Sequence, residues 1–222
     1  MLESAIKSVE DFVREEMEWL CAAHDFLHIE RVVVNAQKIQ QMEWKGDRDI
    51  VTIAALLHES LDEKFFKQES IGARKNNIKE FLESLEVPAE KIEHILFIIV
   101  NVGFGKSLNR KENFPYTIEF QVVEDADRLE AMWAINIART FAYGSKKGQA
   151  IYDPDIKPKV MKDKDSYYAH TWVTTSFNHF YEKLLLLKGM IHTDSGKILA
   201  EPRHAFMQEY MEVFLAEWRG ER

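Results

Sequence analysis

The stretch IVTIAALLHES at residues 50–60 is apolar at nearly every position before its closing pair, His58-Glu59. A helix that is apolar on nearly every side must be covered on every side, so the stretch predicts a helix at 47–60 in the middle of a helical bundle. Side chains at the end of a buried helix are held rigidly, as the ligands of a metal ion must be. The stretch therefore predicts both the centre of the fold and part of a candidate site.

Two other fragments carry the same types of side chain. AHDFLHIERV at 23–32 contains His28, and EDADRLEAM at 124–132 contains Asp125 and Asp127. A single histidine among apolar neighbours is usually an ordinary buried or surface residue, so each fragment alone is weak evidence. Residues two apart on a helix point about 200° apart, so only one of the two aspartates can face an ion. Together the fragments predict one divalent metal site with two imidazole and two carboxylate ligands.

The order of these fragments resembles the HD-domain family of metal-dependent phosphohydrolases, whose signature is a histidine, a His-Asp pair on another helix and a distant aspartate. Four further segments are similar to the small bacterial HD hydrolases related to the YpgQ and YedJ proteins: LDEKFF, EDADRLEAMWAINIARTFAYG, FNHFYEKLLLL and HTDSGKILAEPRHAFMQEYMEVFLAEW. The resemblance extends from about residue 20 to residue 218. It implies four metal ligands: His28, His58, Glu59 and Asp127. The family motif places the last ligand in the AD before RL, which leaves Asp125 to cap a helix or to support the ligands.

The resemblance implies a phosphohydrolase that acts on a nucleotide or another small phosphate ester, with one divalent ion (Mn, Mg, Zn, Co, Ni or Fe) as cofactor. Release of pyrophosphate from a nucleoside triphosphate is one form of that reaction. Glu59 stands where the family has aspartate, so its carboxylate is one methylene longer and must reach the ion from another rotamer. The alternative hypothesis is therefore a catalytically weakened relative that binds a nucleotide or a protein partner. Three residues after ADRL are expected to narrow the pocket: Met132, Trp133 and Asn136.

Several neighbours of the ligands are candidates for proton transfer or substrate binding. Asp62 and Glu63 follow the His-Glu pair and are suited to orient or deprotonate an attacking water, although an acidic helix end explains Glu63 more simply. His24 lies four residues before His28, and a phosphate contact and an ordinary surface position explain it equally well. Three cations adjoin the fragments as candidate phosphate contacts: Arg31, Lys64 and Arg128. Lys64 and Arg128 are favoured. Three residues in other family-like segments line the pocket or brace it: Arg139, His179 and Arg203.

Apolar spacing of three and four residues and rare proline predict an all-α fold, a single HD-type helical domain over residues 1–222. The core motif occupies about 20–143, and C-terminal helices at about 165–219 pack on it. The predicted helices are near 2–20, 25–44, 47–60, 66–85, 88–102, 117–143, 165–188 and 196–219. Two stretches rich in Gly, Pro and charge, 103–116 and 143–165, are expected to be solvated loops, with a lid or a substrate contact as the alternative.

Composition excludes several classes of partner. The net charge of −8, without a basic stripe, argues against nucleic-acid binding, and no apolar run approaches the length of a membrane span. The N-terminal segment lacks the apolar core of a secretion signal. Cys21 is the only cysteine, which rules out an intramolecular disulfide and fits a reducing cytoplasm. The expected partner is a small phosphate substrate in the cytoplasm, and a homodimer stays open.

Overall fold

The computed structural model describes residues 2–17, 26–62, 68–159 and 173–222. Within these ranges the chain forms ten α-helices and one 3₁₀ helix and no β-strand, which confirms the all-α class. The α-helices are α1 (Glu3–Met17), α2 (Phe26–Glu43), α3 (Arg48–Leu57), α4 (Gln68–Ser84), α5 (Ala89–Asn101), α6 (Phe104–Ser107), α7 (Ile118–Glu130), α8 (Ala134–Lys146), α9 (Asn178–Glu182) and α10 (Asp194–Trp218). The 3₁₀ helix, Leu184–Met190, lies between α9 and α10. That all 222 residues form one domain stays a prediction.

Helix α3 is the buried centre of the bundle. Its residues from Asp49 to Leu57 are all buried, and it packs against α1, α2, α5 and α7. Asp47 caps its N-terminus by accepting hydrogen bonds from the backbone N–H groups of Asp49 (2.9 Å) and Ile50 (3.2 Å). Each fully buried Ile, Leu or Val side chain contributes roughly 1.5–3 kcal/mol to the free energy of folding. Helix α3 therefore stabilises the packing of the four helices around it.

The end of α3 differs from the prediction. The helix stops at Leu57 instead of continuing to 60, and residues 58–61 form a turn. Backbone hydrogen bonds from Ser60 N to Leu57 O (2.9 Å) and from Asp62 N to Glu59 O (3.0 Å) hold that turn. Arg74 of α4 donates to Ser60 O at 2.6 Å and also binds Glu16 of α1. Three helices therefore fix the turn that carries the His-Glu pair.

Two predicted long helices are interrupted. The predicted helix 117–143 is divided into α7 and α8 at Trp133, whose φ of 117° no ordinary helical residue adopts. In the predicted segment 165–188, residues 173–177 are not helical, and a short α9 is followed by the 3₁₀ helix. None of the described helices combines the length and the apolar character needed to cross a membrane.

Candidate metal centre and adjoining cavity

Side chains from three separate elements converge at one point. His28 lies in the first turn of α2, His58 and Glu59 lie in the turn after α3, and Asp127 lies in the last turn of α7. The Nε2 atom of His28 is 3.4 Å from Glu59 Oε1 and 3.8 Å from Asp127 Oδ1. His58 Nε2 is also 3.8 Å from Asp127 Oδ1. The packing of α2 and α7 against α3 thus brings the four sequence-predicted ligands together.

These separations suit a single metal ion. Ligand atoms about 2.1 Å from an ion lie about 3.0 to 4.2 Å from one another in tetrahedral or octahedral geometry. The three distances given above lie within that range, and one ligand atom each of His28, His58 and Glu59 falls within 4.8 Å of the others. The longer carboxylate of Glu59 therefore reaches the cluster despite its departure from the family's aspartate.

The ring of His58 is oriented for coordination. Its Nδ1 atom lies 2.8 Å from the backbone oxygen of Ala55, which can only accept a hydrogen bond, so Nδ1 carries the proton. Its Nε2 atom then presents a lone pair. That atom is buried and has no hydrogen-bond partner in the described part of the chain. A buried nitrogen without a donor is costly unless a cation or another donor occupies the space in front of it.

The centre carries an excess of negative charge. Burial by itself would lower the pKa of His28, but the facing carboxylates of Glu59 and Glu130 outweigh it and raise that pKa to about 9. Burial would raise the pKa of Glu130, but His28, Arg139 and Arg31 lower it to about 2. Surroundings that hold an extra proton on a buried imidazole also attract a divalent cation.

The two aspartates of α7 point to different places. The Asp125 carboxylate is fully buried and accepts hydrogen bonds from His192 N (2.9 Å), Thr193 N (2.7 Å) and Thr193 Oγ1 (2.8 Å), at the N-terminus of α10. Gly196 permits this approach, because a Cβ there would lie 2.8 Å from Asp125 Oδ2. Asp125 thus holds Thr193, whose own side chain caps α10 by accepting a hydrogen bond from Gly196 N (3.0 Å), and Asp127 faces the histidines, as only one of the two aspartates can.

The predicted phosphate-binding arginines have other partners. Arg128 is buried, with its guanidinium bound to the backbone oxygen of Met190, to His192 (2.9 Å) and to Glu124 (3.0 Å). Arg31 binds Glu130 through two hydrogen bonds, of 2.8 and 3.0 Å. Neither side chain lines the large cavity beside the metal centre. The contacts of these two guanidinium groups hold parts of the fold together.

A cavity of about 520 Å³ opens from the candidate metal centre. Helix α8 and the residue that follows it form one wall, with lining residues at helical spacing: Asn136, Arg139, Thr140, Tyr143 and Lys147. Asn136 and Lys147 are 11 residues apart, so this wall is about 16 Å long at 1.5 Å per residue. Segments 102–105, 147–150 and 173–176 form much of the rest. Parts of both predicted loops therefore line the cavity and are not merely solvated connections.

Cations and a carboxylate stand in this cavity beside the cluster. Asp62, a predicted catalytic residue three positions after Glu59, lines it. Arg139 and His179 line it as well, whereas Arg203 instead braces α7 and α2 by donating to Leu129 O and to Asn35 Oδ1 (3.1 Å). The sequence interpretation missed two lysines of the lining, Lys147 and Lys183, and also Glu130.

The remaining predictions around the site have mixed outcomes. His24, Glu63 and Lys64 lie outside the described residues. Met132 is buried in the core, and Trp133 points away from the cavity and stacks on Phe206 with ring centroids 5.4 Å apart. Of the three bulky residues expected to narrow the pocket, only Asn136 lines it, so that expectation was wrong for Met132 and Trp133.

Known proteins resemble this chain in sequence and in fold. YpgQ of Bacillus subtilis is 33% identical to this chain over 190 residues, which are 86% of this chain and 82% of YpgQ. The crystal structure of an HD-superfamily hydrolase from Bacillus thuringiensis is 36% identical, covers 99% of both chains and has a TM-score of 0.75. This chain belongs to the HD superfamily.

Within the HD superfamily the protein has further structural relatives. A Lactobacillus plantarum protein is 31% identical, with a TM-score of 0.84 over 98% of both chains. The crystal structure of YpgQ in complex with ADP is 30% identical, with a TM-score of 0.72 over 96% of both chains. No protein-family model matches the chain. The predicted family is therefore confirmed by relatives that cover nearly the whole molecule.

Proposed function

We propose that this HD-superfamily protein is a divalent-metal-dependent phosphohydrolase that acts on a nucleotide or a small phosphate ester. The observation that carries the proposal is the convergence of His28, His58, Glu59 and Asp127 at one end of a cavity lined by cations. An ion at one end and cationic side chains beyond it are what a phosphate group with a polar remainder requires.

The residues fit a divalent ion, since a buried His58 Nε2 faces the carboxylate of Asp127 and would donate its lone pair to a cation. His28 and Glu59 would complete the ligand set. When bound, such an ion makes water a stronger nucleophile at neutral pH and stabilises negative charge on phosphate oxygens. A mixed set of nitrogen and oxygen ligands suits several first-row divalent metals.

Other lining residues have roles that follow from their charge. Arg139, Lys147 and Lys183 would neutralise phosphate oxygens, in place of the sequence-predicted Arg31 and Arg128. Asp62 follows the His-Glu pair in the same wall and would orient the attacking water and accept its proton. Glu63, His24 and Lys64 stay predictions from the sequence.

A nucleotide is the substrate class that the cavity supports best. A wall of about 16 Å accommodates an extended phosphate chain together with a sugar and base, whereas a lone phosphate ester of a small alcohol would fill only one end. YpgQ, a relative, was crystallised with ADP. In the finer form of the proposal, water attacks the α-phosphorus of a nucleoside triphosphate, the bond to the β-phosphate oxygen breaks, and pyrophosphate leaves.

The test is a hydrolysis screen with metal-stripped protein. Nucleoside triphosphates, diphosphates and p-nitrophenyl phosphate are supplied with Mn²⁺, Mg²⁺, Zn²⁺, Co²⁺, Ni²⁺ or Fe²⁺, and phosphate, pyrophosphate and nucleoside monophosphate are quantified. The proposal expects turnover that requires an added ion and disappears in His58→Ala. Metal-independent turnover would contradict it. Nucleotide binding without turnover under any metal would instead establish the weakened relative.

A further inference from the structure

We propose that Glu130 is a positioning residue that fixes the ring of His28 and thereby strengthens metal binding. The inference rests on the proposed function, because it requires His28 to be a ligand. Glu130 lies three residues after Asp127 on α7, so the two carboxylates project from the same side of the helix. One faces the metal position, and the other stands behind the imidazole that faces it.

The contact between Glu130 and His28 is direct and buried. Glu130 Oε2 lies 2.8 Å from His28 Nδ1, and both side chains are less than a twentieth exposed. An unprotonated ring nitrogen would repel a carboxylate oxygen at this distance, so Nδ1 carries the hydrogen and donates it to Glu130. The Nε2 lone pair is then directed to the side of the ring where Glu59 and Asp127 stand.

Arg139 lies close enough to compete for the same nitrogen. Its Nη1 atom is 3.0 Å from His28 Nδ1, and the same guanidinium binds Glu130 Oε2. An arginine N–H and a protonated Nδ1 are both donors, and the carboxylate is the only acceptor among the three groups. Both donors therefore share Glu130, and the close approach of Arg139 to the ring is a consequence of that shared acceptor.

The carboxylate is itself held from two sides. Arg31 of α2 donates to Glu130 Oε1 at 2.8 and 3.0 Å, and Arg139 of α8 binds Oε2. Each oxygen thus has its own guanidinium, which prevents the carboxylate from rotating away from His28. The two arginines and the glutamate tie α2, α7 and α8 together around one imidazole.

A comparison of the two histidines shows what Glu130 adds. His58 donates its Nδ1 hydrogen to the backbone oxygen of Ala55, in the last turn of the preceding helix α3, at 2.8 Å. His28 has the corresponding hydrogen bond at the same length, but to a charged side chain supplied by another helix. A carboxylate behind a ligating histidine fixes its tautomer and increases its basicity, and removing such a partner typically weakens metal affinity by about 10–100-fold.

The first test measures the Zn²⁺ affinity of wild type and of Glu130→Gln by isothermal titration over a pH series. Affinities are compared on the high-pH plateau, because a proton competes with the metal for the imidazole. We expect about 10–100-fold weaker binding in the variant and partial recovery in Glu130→Asp, which keeps the charge. The matched control is Glu124→Gln, another buried carboxylate of α7, whose contacts are with Arg110, Arg128 and His192. Its affinity should stay near that of wild type.

The second measurement needs no variant. In Zn²⁺-loaded wild type, a long-range ¹H–¹⁵N correlation spectrum should show His28 with a protonated Nδ1, a metal-bound Nε2 and a strongly downfield Nδ1 proton. Nδ1 bound to the metal, or affinity unchanged in Glu130→Gln, would overturn the role of Glu130 while leaving the proposed function standing. Absence of Zn²⁺ binding at His28 in wild type would overturn both.

Discussion

Helix α7 carries two acidic clusters that differ in their contacts: a structural face of Glu124 and Asp125 and a metal face of Asp127. On one face, Glu124 and Asp125 are surrounded by donors: Arg110, Arg128, His192 and the backbone at the start of α10. On the other face, Asp127 Oδ1 lies 3.8 Å from the Nε2 atom of His28 and 3.8 Å from that of His58. A carboxylate whose oxygens are occupied by fixed donors stabilises the fold, whereas one that faces ligand nitrogens is available to a cation.

The largest expected effect separates the faces by metal binding. Asp127→Asn should weaken divalent metal affinity by more than about 100-fold, because it removes a charged ligand and even a residue behind a ligand typically contributes about 10–100-fold. Stability of the metal-free protein should change little, since Asp127 adds to an excess of negative charge. Calorimetric titration and thermal melting in chelator measure the two quantities. Unchanged metal affinity in Asp127→Asn would mean that the two faces do not differ in metal binding.

Asp125→Asn should give the opposite result. The amide cannot accept all the hydrogen bonds from His192 and Thr193, and an unsatisfied buried group costs about 1–3 kcal/mol, with more when a charge is lost. The melting temperature of a chain this long should fall by roughly 2–4 °C for each kcal/mol. Metal affinity per folded molecule should stay within a few-fold of wild type. A large loss of affinity without destabilisation would contradict the structural role of Asp125.

Acid should remove the contribution of the structural face to the free energy of unfolding. Burial would raise the pKa of Glu124, but His192, Arg110 and Arg128 lower it from 4.5 to about 2. A depressed carboxyl pKa stabilises the fold above pH 4.5, and that stabilisation is lost as pH falls toward 2. Denaturant unfolding should therefore show wild type more stable than Glu124→Gln by about 3 kcal/mol at pH 7, with the difference shrinking below pH 4.5. A difference that is constant with pH would contradict this.

The smallest expected effect concerns the departure from the family pattern. Glu59 Oε1 already lies 3.4 Å from His28 Nε2, so the longer side chain reaches the cluster from this turn. Glu59→Asp should therefore reduce metal affinity by about tenfold, because the shorter carboxylate falls short of the ion. Isothermal titration with Mn²⁺ measures the affinities of wild type and of Glu59→Asp. A gain in affinity would instead show that glutamate weakens the site.

The sequence predicted the centre of this molecule better than its periphery. The continuous apolar run before His58 identified α3, and helix geometry alone showed that Asp125 and Asp127 cannot share a target. The break at Trp133 was missed, because nothing in local propensity predicts a left-handed conformation for tryptophan. The end of α3 at Leu57 was missed because long-range contacts, including that of Arg74, hold the turn.

Within the site, too, some residues could be predicted from the sequence and others could not. Arg128 adjoins Asp127 in sequence, yet it lies four residues after Glu124 and binds it, so it belongs to the structural face. Spacing of three residues could have identified Glu130 from Asp127, and the same spacing places Arg31 beside His28 on α2. Lys147 and Lys183 could not be found in this way, because their position in the cavity depends on how segments remote in sequence meet.

Metal titration of the stripped protein tests the central claim most directly. Wild type should bind one divalent ion per chain, and at an ion concentration 100 times the dissociation constant its stability should rise by about 2.7 kcal/mol, measured as a higher melting temperature. His58→Ala, melted under the same conditions, should show no such rise, since its imidazole is removed from the centre. Binding that is absent in wild type, or undiminished in His58→Ala, would contradict the account.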